Sequence, residues 1–131
     1  MSCPPNDCAK FWAHEWNKHG TCSQSFLNQQ AYFQTTLNWR MKIDILSALK
    51  REGIEPNDSV YSVKSIRNAI TKAIGVTPRI RITYSKKWQK CQLSEVYFCV
   101  STANQLTSCK YEVSTDHYCD NVMDIYFYKF I

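Results

Sequence analysis

The sequence contains little glycine or proline and no long apolar run. Its 131 residues include three glycines and four prolines, which argues against a disordered or low-complexity chain. No run of about 18 apolar residues occurs, so we expect no membrane-spanning helix and no membrane partner. The residues after Met1 are Ser-Cys-Pro-Pro, so no signal peptide is expected in this chain. The remaining composition, 44% apolar and 21% charged, is typical of a globular domain.

The seven cysteines do not include a Cys-x-x-Cys pair, the spacing typical of metal and redox sites. The wide spacing of Cys91, Cys99, Cys109 and Cys119 instead favours disulfides and an oxidising compartment. An odd number of cysteines leaves one thiol unpaired, and disulfides conflict with the missing signal peptide. Both features would be explained if the chain were the end of a longer secreted protein.

The formal charge of +5 is compatible with a polyanionic partner. Much of the positive charge falls between residues 64 and 90. The alternative is an ordinary solvated face, which is the commoner role of such clusters. The basic residues of this stretch are Lys64, Arg67, Lys72, Arg79, Arg81, Lys86, Lys87 and Lys90.

Apolar spacing predicts helices in the first part of the chain and strands in the last part. Helical spacing over residues 28–38 continues over 39–51, which predicts one helix that Gly53 stops. A further helix is expected over residues 63–74, with Ser62 as a cap and Gly75 as a stop. A loop is expected over residues 54–60, and strands over 79–84, 93–100, 110–113 and 122–130. Helices first and strands afterwards indicate an α+β fold with an antiparallel sheet. The length suits a single domain over residues 1–131.

Residues 14–19 concentrate side chains that suit proton transfer and anion binding. In an α-helix that turns about 100° per residue, His14, Glu15, Lys18 and His19 share an arc of about 140°. Phe11 falls within the same arc. A general-base candidate, a carboxylate and a cation on one helix edge suit chemistry on an anionic substrate.

The rest of this predicted helix is consistent with an amphipathic element. Trp12 and Trp16 lie together on the neighbouring arc, where an apolar stripe would meet a core. Asn6 or Asp7 is expected to cap the start, and Gly20 stands where a helix normally ends.

Two other interpretations of the cluster can be compared on geometry. A zinc helix places two histidines four residues apart, whereas His14 and His19 are five apart and diverge by about 140°. Lys18 occupies the position of the second ligand, so no metal is expected. Alternatively, Glu15 with Lys18 or His19 would be an ordinary exposed helical pair, worth about 0.2–0.5 kcal/mol.

Cleavage of RNA by its own 2′-hydroxyl uses the whole cluster. His19 could take the hydroxyl proton, with Glu15 orienting the imidazole or shuttling the proton. Lys18 could stabilise charge at phosphorus, and His14 could hold a phosphate oxygen. Phe11 could stack on a base.

The segment Phe11–Cys22 resembles the second conserved active-site segment of the ribonuclease T2 family, which includes fungal acid ribonucleases and plant self-incompatibility and S-like ribonucleases. The resemblance extends over nearly the whole chain. Further similar segments are Ser2-Cys3-Pro4, Tyr61–Lys64 with Ile66, and Leu93–Val100.

The resemblance implies cleavage of single-stranded RNA through a 2′,3′-cyclic phosphate without metal or cofactor. It implies that His19 is a catalytic base and that Glu15 and Lys18 support the pentacovalent state. His14 would contact phosphate, and Phe11 would contribute to a base site. A monomer that is secreted or vacuolar is expected by family.

The chain departs from the family in lacking its His-Gly-Leu-Trp-Pro segment and N-terminal strand. The sequence contains three histidines, and its one His-Gly pair is His19-Gly20. His117 is a poor substitute for the missing histidine. The chain therefore resembles the C-terminal two-thirds of a family member, a truncated domain of reduced activity. The alternative is a catalytically impaired RNA-binding or interaction protein.

The resemblance also bears on the disulfides. Two bridges are expected in the second half of the chain, Cys99 with Cys109 and Cys91 with Cys119 around it. In the family, the cysteines that match Cys3 and Cys22 pair with upstream partners. In this chain we expect Cys3 and Cys22 to pair with each other or with Cys8.

Overall fold

A computed structural model of the chain describes residues 7–129 and divides into two compact units, Met1–Ile43 and Asp44–Ile131. Four of the sequence-based expectations lie outside the described residues: the alternative cap Asn6, the segment Ser2-Cys3-Pro4, the cysteine Cys3, and the end of the last predicted strand at Phe130.

The first unit is helical. Helix α1 (Cys8–Glu15) begins at Asp7, whose carboxylate accepts a hydrogen bond from the Lys10 backbone N–H at 2.9 Å. The stretch continues as a π-helical segment (Trp16–Gly20) and a 3₁₀ turn (Thr21–Ser23). Helix α2 (Gln29–Lys42) starts with the equivalent bond from Ala31 N–H to Asn28 Oδ1 at 2.8 Å.

The continuous helix predicted over residues 28–51 is interrupted in the structure. Helix α2 ends at Lys42, and Ile43 and Asp44 have extended backbone, with ψ of 111° and 92°. The Asp44 carboxylate accepts hydrogen bonds from the backbone N–H and the hydroxyl of Ser47 and starts helix α3 (Ile45–Arg51). A continuous helix was therefore the wrong prediction, because an aspartate side chain competes for backbone N–H groups and favours a cap over a helix interior.

The second unit contains a five-stranded sheet ordered β1-β7-β3-β2-β6 and a separate β4-β5 pair. Helix α4 (Val63–Ile74) follows the first strand. The strands are β1 (Ser59–Ser62), β2 (Arg79–Ser85), β3 (Lys90–Tyr97), β4 (Cys99–Val100), β5 (Leu106–Thr107), β6 (Val113–Thr115) and β7 (Asp124–Phe127).

The α+β class is confirmed, and the sheet is mixed. The β2–β3 pair is antiparallel, in agreement with the predicted antiparallel sheet. The β1–β7 pair is also antiparallel, although β1 was not predicted, and β2–β6 and β3–β7 are parallel. Strand β1 begins in the last two residues of the loop predicted over residues 54–60 and extends past it. The loop was predicted because Pro56-Asn57-Asp58 is typical of a turn. Its partners are distant in sequence, beginning with Ser59 opposite Phe127. Local pattern cannot reveal such a pairing.

Helix α4 supplies the helical side of the core in the second unit. Ile66 and Ile70 are fully buried, as are Ile80, Ile82 and Ile125 of the strands. The predicted cap and stop of this helix are confirmed, since Ser62 Oγ accepts from the Ser65 N–H at 3.0 Å and Gly75 has φ of 91°. The alternation predicted for β2 is also confirmed, with Ile80 and Ile82 buried and their neighbours half-buried.

Two disulfides of the second unit match the pairing expected from the resemblance. Cys91 of β3 is bonded to Cys119, which is completely buried in a 3₁₀ turn, His117–Cys119. Cys99 of β4 is bonded to Cys109. The first bond attaches the chain before β7 to the centre of the sheet, and the second closes the β4–β5 loop.

Candidate active site

The helical stretch that carries His14 and His19 changes from α-helical to π-helical hydrogen bonding after Glu15. Residues Trp16–Gly20 form a π-helix, closed by the Thr21 N–H donating to the Trp16 carbonyl five residues earlier. Such segments are rare in proteins and are frequent at functional sites. A π-helix turns less per residue than an α-helix, so the arc calculated from a uniform 100° does not hold for Lys18 and His19.

The structure brings Glu15 and His19 together. Glu15 Oε2 lies 3.8 Å from His19 Nε2, and the two side chains are 31% and 53% exposed. A substrate can therefore reach the imidazole, while the carboxylate behind it can orient the ring.

The other three predicted site residues lie on the same helical stretch. His14 and Lys18 are exposed, and Phe11 is half-buried with its ring edge-on to Trp12 at 6.1 Å. Within residues 7–129, no hydrogen bond or ion pair connects His14 or Lys18 to the Glu15–His19 pair. Both side chains are therefore available to an anion.

An aromatic cluster holds this helical stretch against α2 within the first unit. The Trp12 ring meets Phe33 edge-on at 4.4 Å, and Trp16 meets Tyr32 at 5.6 Å. Tyr32 and Phe33 pack on each other at 5.3 Å. The structure thus gives Trp12 and Trp16 the apolar role predicted for them, with partners that the sequence did not identify. The adjacent aromatic residues Tyr32 and Phe33 near the start of α2 are the sequence feature that could have identified these partners.

Tyr32 also lies in the electrostatic field of the candidate site. Burial raises the pKa of the Tyr32 hydroxyl, and negative charge at Cys22 and Glu15 raises it further. The hydroxyl therefore remains protonated near neutral pH. It adds a neutral group, rather than another negative charge, beside Glu15.

Gly20 is required by packing rather than by helix termination. The π-helix ends at Gly20, in agreement with the predicted helix end. The Gly20 backbone is right-handed helical, with φ of −87° and ψ of −29°, so ending the helix does not itself require a glycine. A Cβ at this position would overlap the six-membered ring of Trp16 at Cε3 and lie 2.9 Å from Cζ3. The Trp16 ring covers the glycine, which is buried.

Replacing Gly20 with alanine is expected to lower the free energy of unfolding by about 1–3 kcal/mol, the usual cost of overpacking. The added methyl group would displace Trp16 and with it the π-helical segment that carries Lys18 and His19. Urea unfolding and near-ultraviolet circular dichroism would measure the two effects. The matched control is Asn17→Ala, which changes an exposed residue of the same segment.

A second variant tests whether the loss of stability comes from the overlap between the new methyl group and the Trp16 ring. The double variant Gly20→Ala/Trp16→Leu removes the ring that the methyl group would meet, so its loss should be smaller than the sum of the two single losses. Additive losses would contradict the assigned contact between Gly20 and Trp16.

Cys22 has a free, exposed thiol, so the predicted pairings of Cys22 with Cys3 or Cys8 are wrong. Its Sγ donates to the His19 carbonyl at 3.2 Å, and Cys8 is itself in a disulfide. Helical structure is continuous from Cys8 to Cys22 and places their Cα atoms about 20 Å apart at 1.5 Å per residue. A disulfide requires Cα atoms within about 7 Å.

The described residues offer no further ligand cluster or membrane-spanning element. Within residues 7–129, no three His, Cys, Asp or Glu side chains converge as metal ligands would. None of the helices in this range has the length and apolar content that crossing a bilayer requires. His117 lies in the second unit, where its ring packs on Tyr118 at 3.9 Å.

The basic stretch between residues 64 and 90 does not form one uniform face. Arg67 pairs with Glu112 at 3.4 Å, and Lys72 pairs with Glu52 at 2.7 Å. These residues therefore have structural partners. Lys86, Lys87 and Lys90 lie apart from these pairs, at the turn between β2 and β3.

Comparison with known proteins gives consistent matches. A family model described as the ribonuclease T2 family matches residues 1–109. Intracellular ribonuclease LX of Solanum lycopersicum is 46% identical over 111 residues, covering 83% of this chain and 46% of that protein. Extracellular ribonuclease LE of the same species is 42% identical over 111 residues, covering 83% of this chain and 48% of that protein.

A solved structure agrees with the sequence matches. The crystal structure of RNase NT in complex with 5′-AMP superposes with a TM-score of 0.78 and 34% identity, covering 99% of this chain and 62% of that one. The chain spans about half the length of the curated relatives it matches. On the family model, the relatives and the shared fold, the chain belongs to the ribonuclease T2 family.

Proposed function

We propose that the chain is part of an endoribonuclease that cleaves single-stranded RNA by transphosphorylation and releases a 2′,3′-cyclic phosphate. The observation that supports the proposal is the Glu15–His19 pair at 3.8 Å, formed where α1 passes into the π-helical segment, with the His19 side chain exposed. Family membership supplies the reaction class.

His19 is the proposed base. Its imidazole takes the proton of the ribose 2′-hydroxyl, and the resulting oxygen attacks phosphorus while the bond to the 5′-oxygen breaks. Glu15 then stabilises the imidazolium ion formed at His19. The 5′-oxygen takes up a proton from water as it leaves, His19 returns its proton to the resulting hydroxide, and the cyclic phosphate is the product.

Lys18, His14 and Phe11 are the proposed binding groups. The pentacovalent phosphorus carries additional negative charge, which the exposed Lys18 ammonium is placed to stabilise. His14 contacts a phosphate oxygen, and Phe11 contributes an aromatic surface to a base. These groups supply base, charge and contact area from the chain alone, so the proposed reaction is independent of metal.

The proton donor to the leaving oxygen is not assigned to a residue of this chain. Its three histidines include none in a His-Gly-Leu-Trp-Pro segment. One general acid or base contributes about 10²–10⁴-fold to a rate. We therefore expect this chain to cleave RNA more slowly, by about that factor, than a relative that carries the segment.

A secreted or vacuolar location and a monomeric state are the accompanying proposals. The two disulfides of the second unit fit an oxidising compartment. Among the relatives, one is named intracellular and one extracellular, which fits either destination.

The test is cleavage of a labelled oligoribonucleotide by the purified chain in the presence of EDTA. We expect cleavage with a 2′,3′-cyclic phosphate end, identified by mass spectrometry. The same oligonucleotide with 2′-deoxyribose at the cleaved position should stay intact, because it lacks the attacking oxygen. Retention of RNA without cleavage, weakening as salt is raised, would contradict the enzyme proposal and favour an RNA-binding protein.

A further inference from the structure

A stack of three aromatic rings lies in the second unit, at the β2–β3 turn and the end of β7, with one exposed ring, Trp88, and two half-buried tyrosines. Trp88 stacks on Tyr128, with ring centroids 5.2 Å apart and planes inclined by 21°. Tyr128 stacks in turn on Tyr126 at 5.8 Å and 15°. We refer to these three rings as the Trp88 stack.

Lysines are placed against both ends of the Trp88 stack. Lys87 Nζ lies 4.6 Å from the ring centroid of Trp88. Lys90 Nζ lies 4.4 Å from that of Tyr126 and donates to its hydroxyl oxygen at 2.9 Å. The hydrogen bond to Tyr126 raises the pKa of Lys90, so this ammonium stays charged.

The turn itself presents Trp88 to solvent. The Ser85 carbonyl accepts from the Gln89 N–H at 2.7 Å, and Ser85 Oγ accepts from the Trp88 N–H at 3.3 Å. Trp88 remains 48% exposed although it is the largest side chain of the turn. The fold therefore fixes an indole next to lysines without burying it.

We propose that the Trp88 stack binds single-stranded nucleic acid. A nucleobase stacks on the face of Trp88 that Tyr128 does not cover, where the mobile Lys87 side chain gives way and pairs, with Lys90, with the backbone phosphates. Near-parallel rings flanked by cations are the combination that single-strand binding sites use, since every base has a π-face and every linkage has a negative charge. The site lies wholly in the second unit. It does not depend on the proposed cleavage reaction.

Other occupants fit the arrangement less well. An acidic peptide would use the lysines and leave the ordered rings without a role. A membrane surface would favour apolar side chains that insert singly, whereas the rings here are stacked on one another. Asp58 is the acidic residue that lies near Tyr128 of the stack. Its carboxylate already accepts a hydrogen bond from the Lys129 N–H at 2.8 Å.

The test uses the full chain and a fluorescein-labelled oligodeoxythymidylate of about 12 nucleotides, within the usual range of single-strand sites. DNA has no 2′-hydroxyl, so the result is independent of cleavage. Fluorescence anisotropy at low salt measures the Kd. We expect Trp88→Ala to weaken binding about tenfold, and Trp88→Phe to keep most of the affinity.

Charge is tested separately from stacking. The double variant Lys87→Ala/Lys90→Ala should reduce the slope of log affinity against log salt by about 1.4, since each phosphate contact on a single strand contributes about 0.7. The matched control is Tyr111→Ala. This tyrosine is 62% exposed, and Lys110 Nζ lies 5.5 Å from its ring centroid. Within residues 7–129, Tyr111 stacks on no other ring.

Several results would overturn the proposal. One is an equal affinity for the oligonucleotide in Trp88→Ala and Tyr111→Ala. A second is no binding of the oligonucleotide at low salt. A third is that inorganic polyphosphate displaces the labelled oligonucleotide as well as an unlabelled oligonucleotide of the same charge does. Trp88-dependent binding to anionic vesicles without oligonucleotide binding would also overturn it, in favour of a membrane surface. If Trp88→Ala proves unfolded by circular dichroism, Trp88→Phe and the lysine variant decide the question.

Discussion

Replacing His19 with alanine is expected to slow cleavage of single-stranded RNA by about 10²–10⁴-fold, the contribution of one general base. In the proposed mechanism, the exposed imidazole accepts the 2′-hydroxyl proton, and Glu15 lies 3.8 Å from it. Initial rates on a labelled oligoribonucleotide, measured with EDTA present, would quantify the loss. Far-ultraviolet circular dichroism should show unchanged secondary structure, since the His19 side chain is 53% exposed.

His117→Ala is the matched control for this experiment. His117 is an exposed histidine of the second unit and is not part of the proposed catalytic cluster. It should leave the rate within about twofold of the parent, as a surface substitution away from the site. Equal rates for His19→Ala and the parent would refute the assignment of His19 as the base.

Glu15→Gln separates orientation from charge at the same pair. Glutamine can still contact the imidazole but cannot stabilise the imidazolium ion. If Glu15 acts by charge, the variant should lose much of the rate that Glu15→Ala loses. If it acts by orientation alone, the glutamine variant should keep most of the activity.

Removing the Cys91–Cys119 bond is expected to lower the free energy of unfolding by about 3.6 kcal/mol. This value is the loop-closure term for a sequence separation of 28. Because Cys119 is also completely buried in the core, packing losses add to this term. The double variant Cys91→Ala/Cys119→Ala, unfolded in urea with the m-value recorded, measures the effect.

The other disulfide of the same unit is the matched comparison. Cys99–Cys109 closes a separation of 10, for which the same term gives about 2.7 kcal/mol. On the loop-closure term alone, the Cys99→Ala/Cys109→Ala variant should lose about 0.9 kcal/mol less than the first, and the complete burial of Cys119 widens the difference. A larger loss for the shorter loop would show that native packing around β4–β5, rather than the unfolded chain, sets the contribution of these bonds.

Local pattern was sufficient where an element depends on its own residues. Helix α4 begins at Ser62, ends at Gly75 and buries Ile66 and Ile70 because capping, left-handed backbone and a period of 3.6 residues are properties of that segment alone. The same holds for the alternation of β2. Such features persist in any surroundings that provide a core.

Pattern failed where distant partners decide the structure. Strand β1 exists because β7 pairs with it, and the parallel pairing of β2 with β6 follows from how the chain returns to the sheet. In both cases the deciding partner is outside the period that a sequence window measures. The break at Asp44 is different, because the competing cap to Ser47 is local but does not alter the apolar spacing.

The sequence by itself determined which chemical groups this protein carries on one helical stretch, because the spacing of His14, Glu15, Lys18 and His19 is covalent. Only the tertiary structure decided how they are presented. The Trp16 ring packs on Gly20 and Tyr32, and the stretch is π-helical from that tryptophan onward. Likewise, the sequence supplied Trp88 and its lysines, but the stack with Tyr128 and Tyr126 exists only because the β2–β3 turn and the end of β7 meet in the folded sheet.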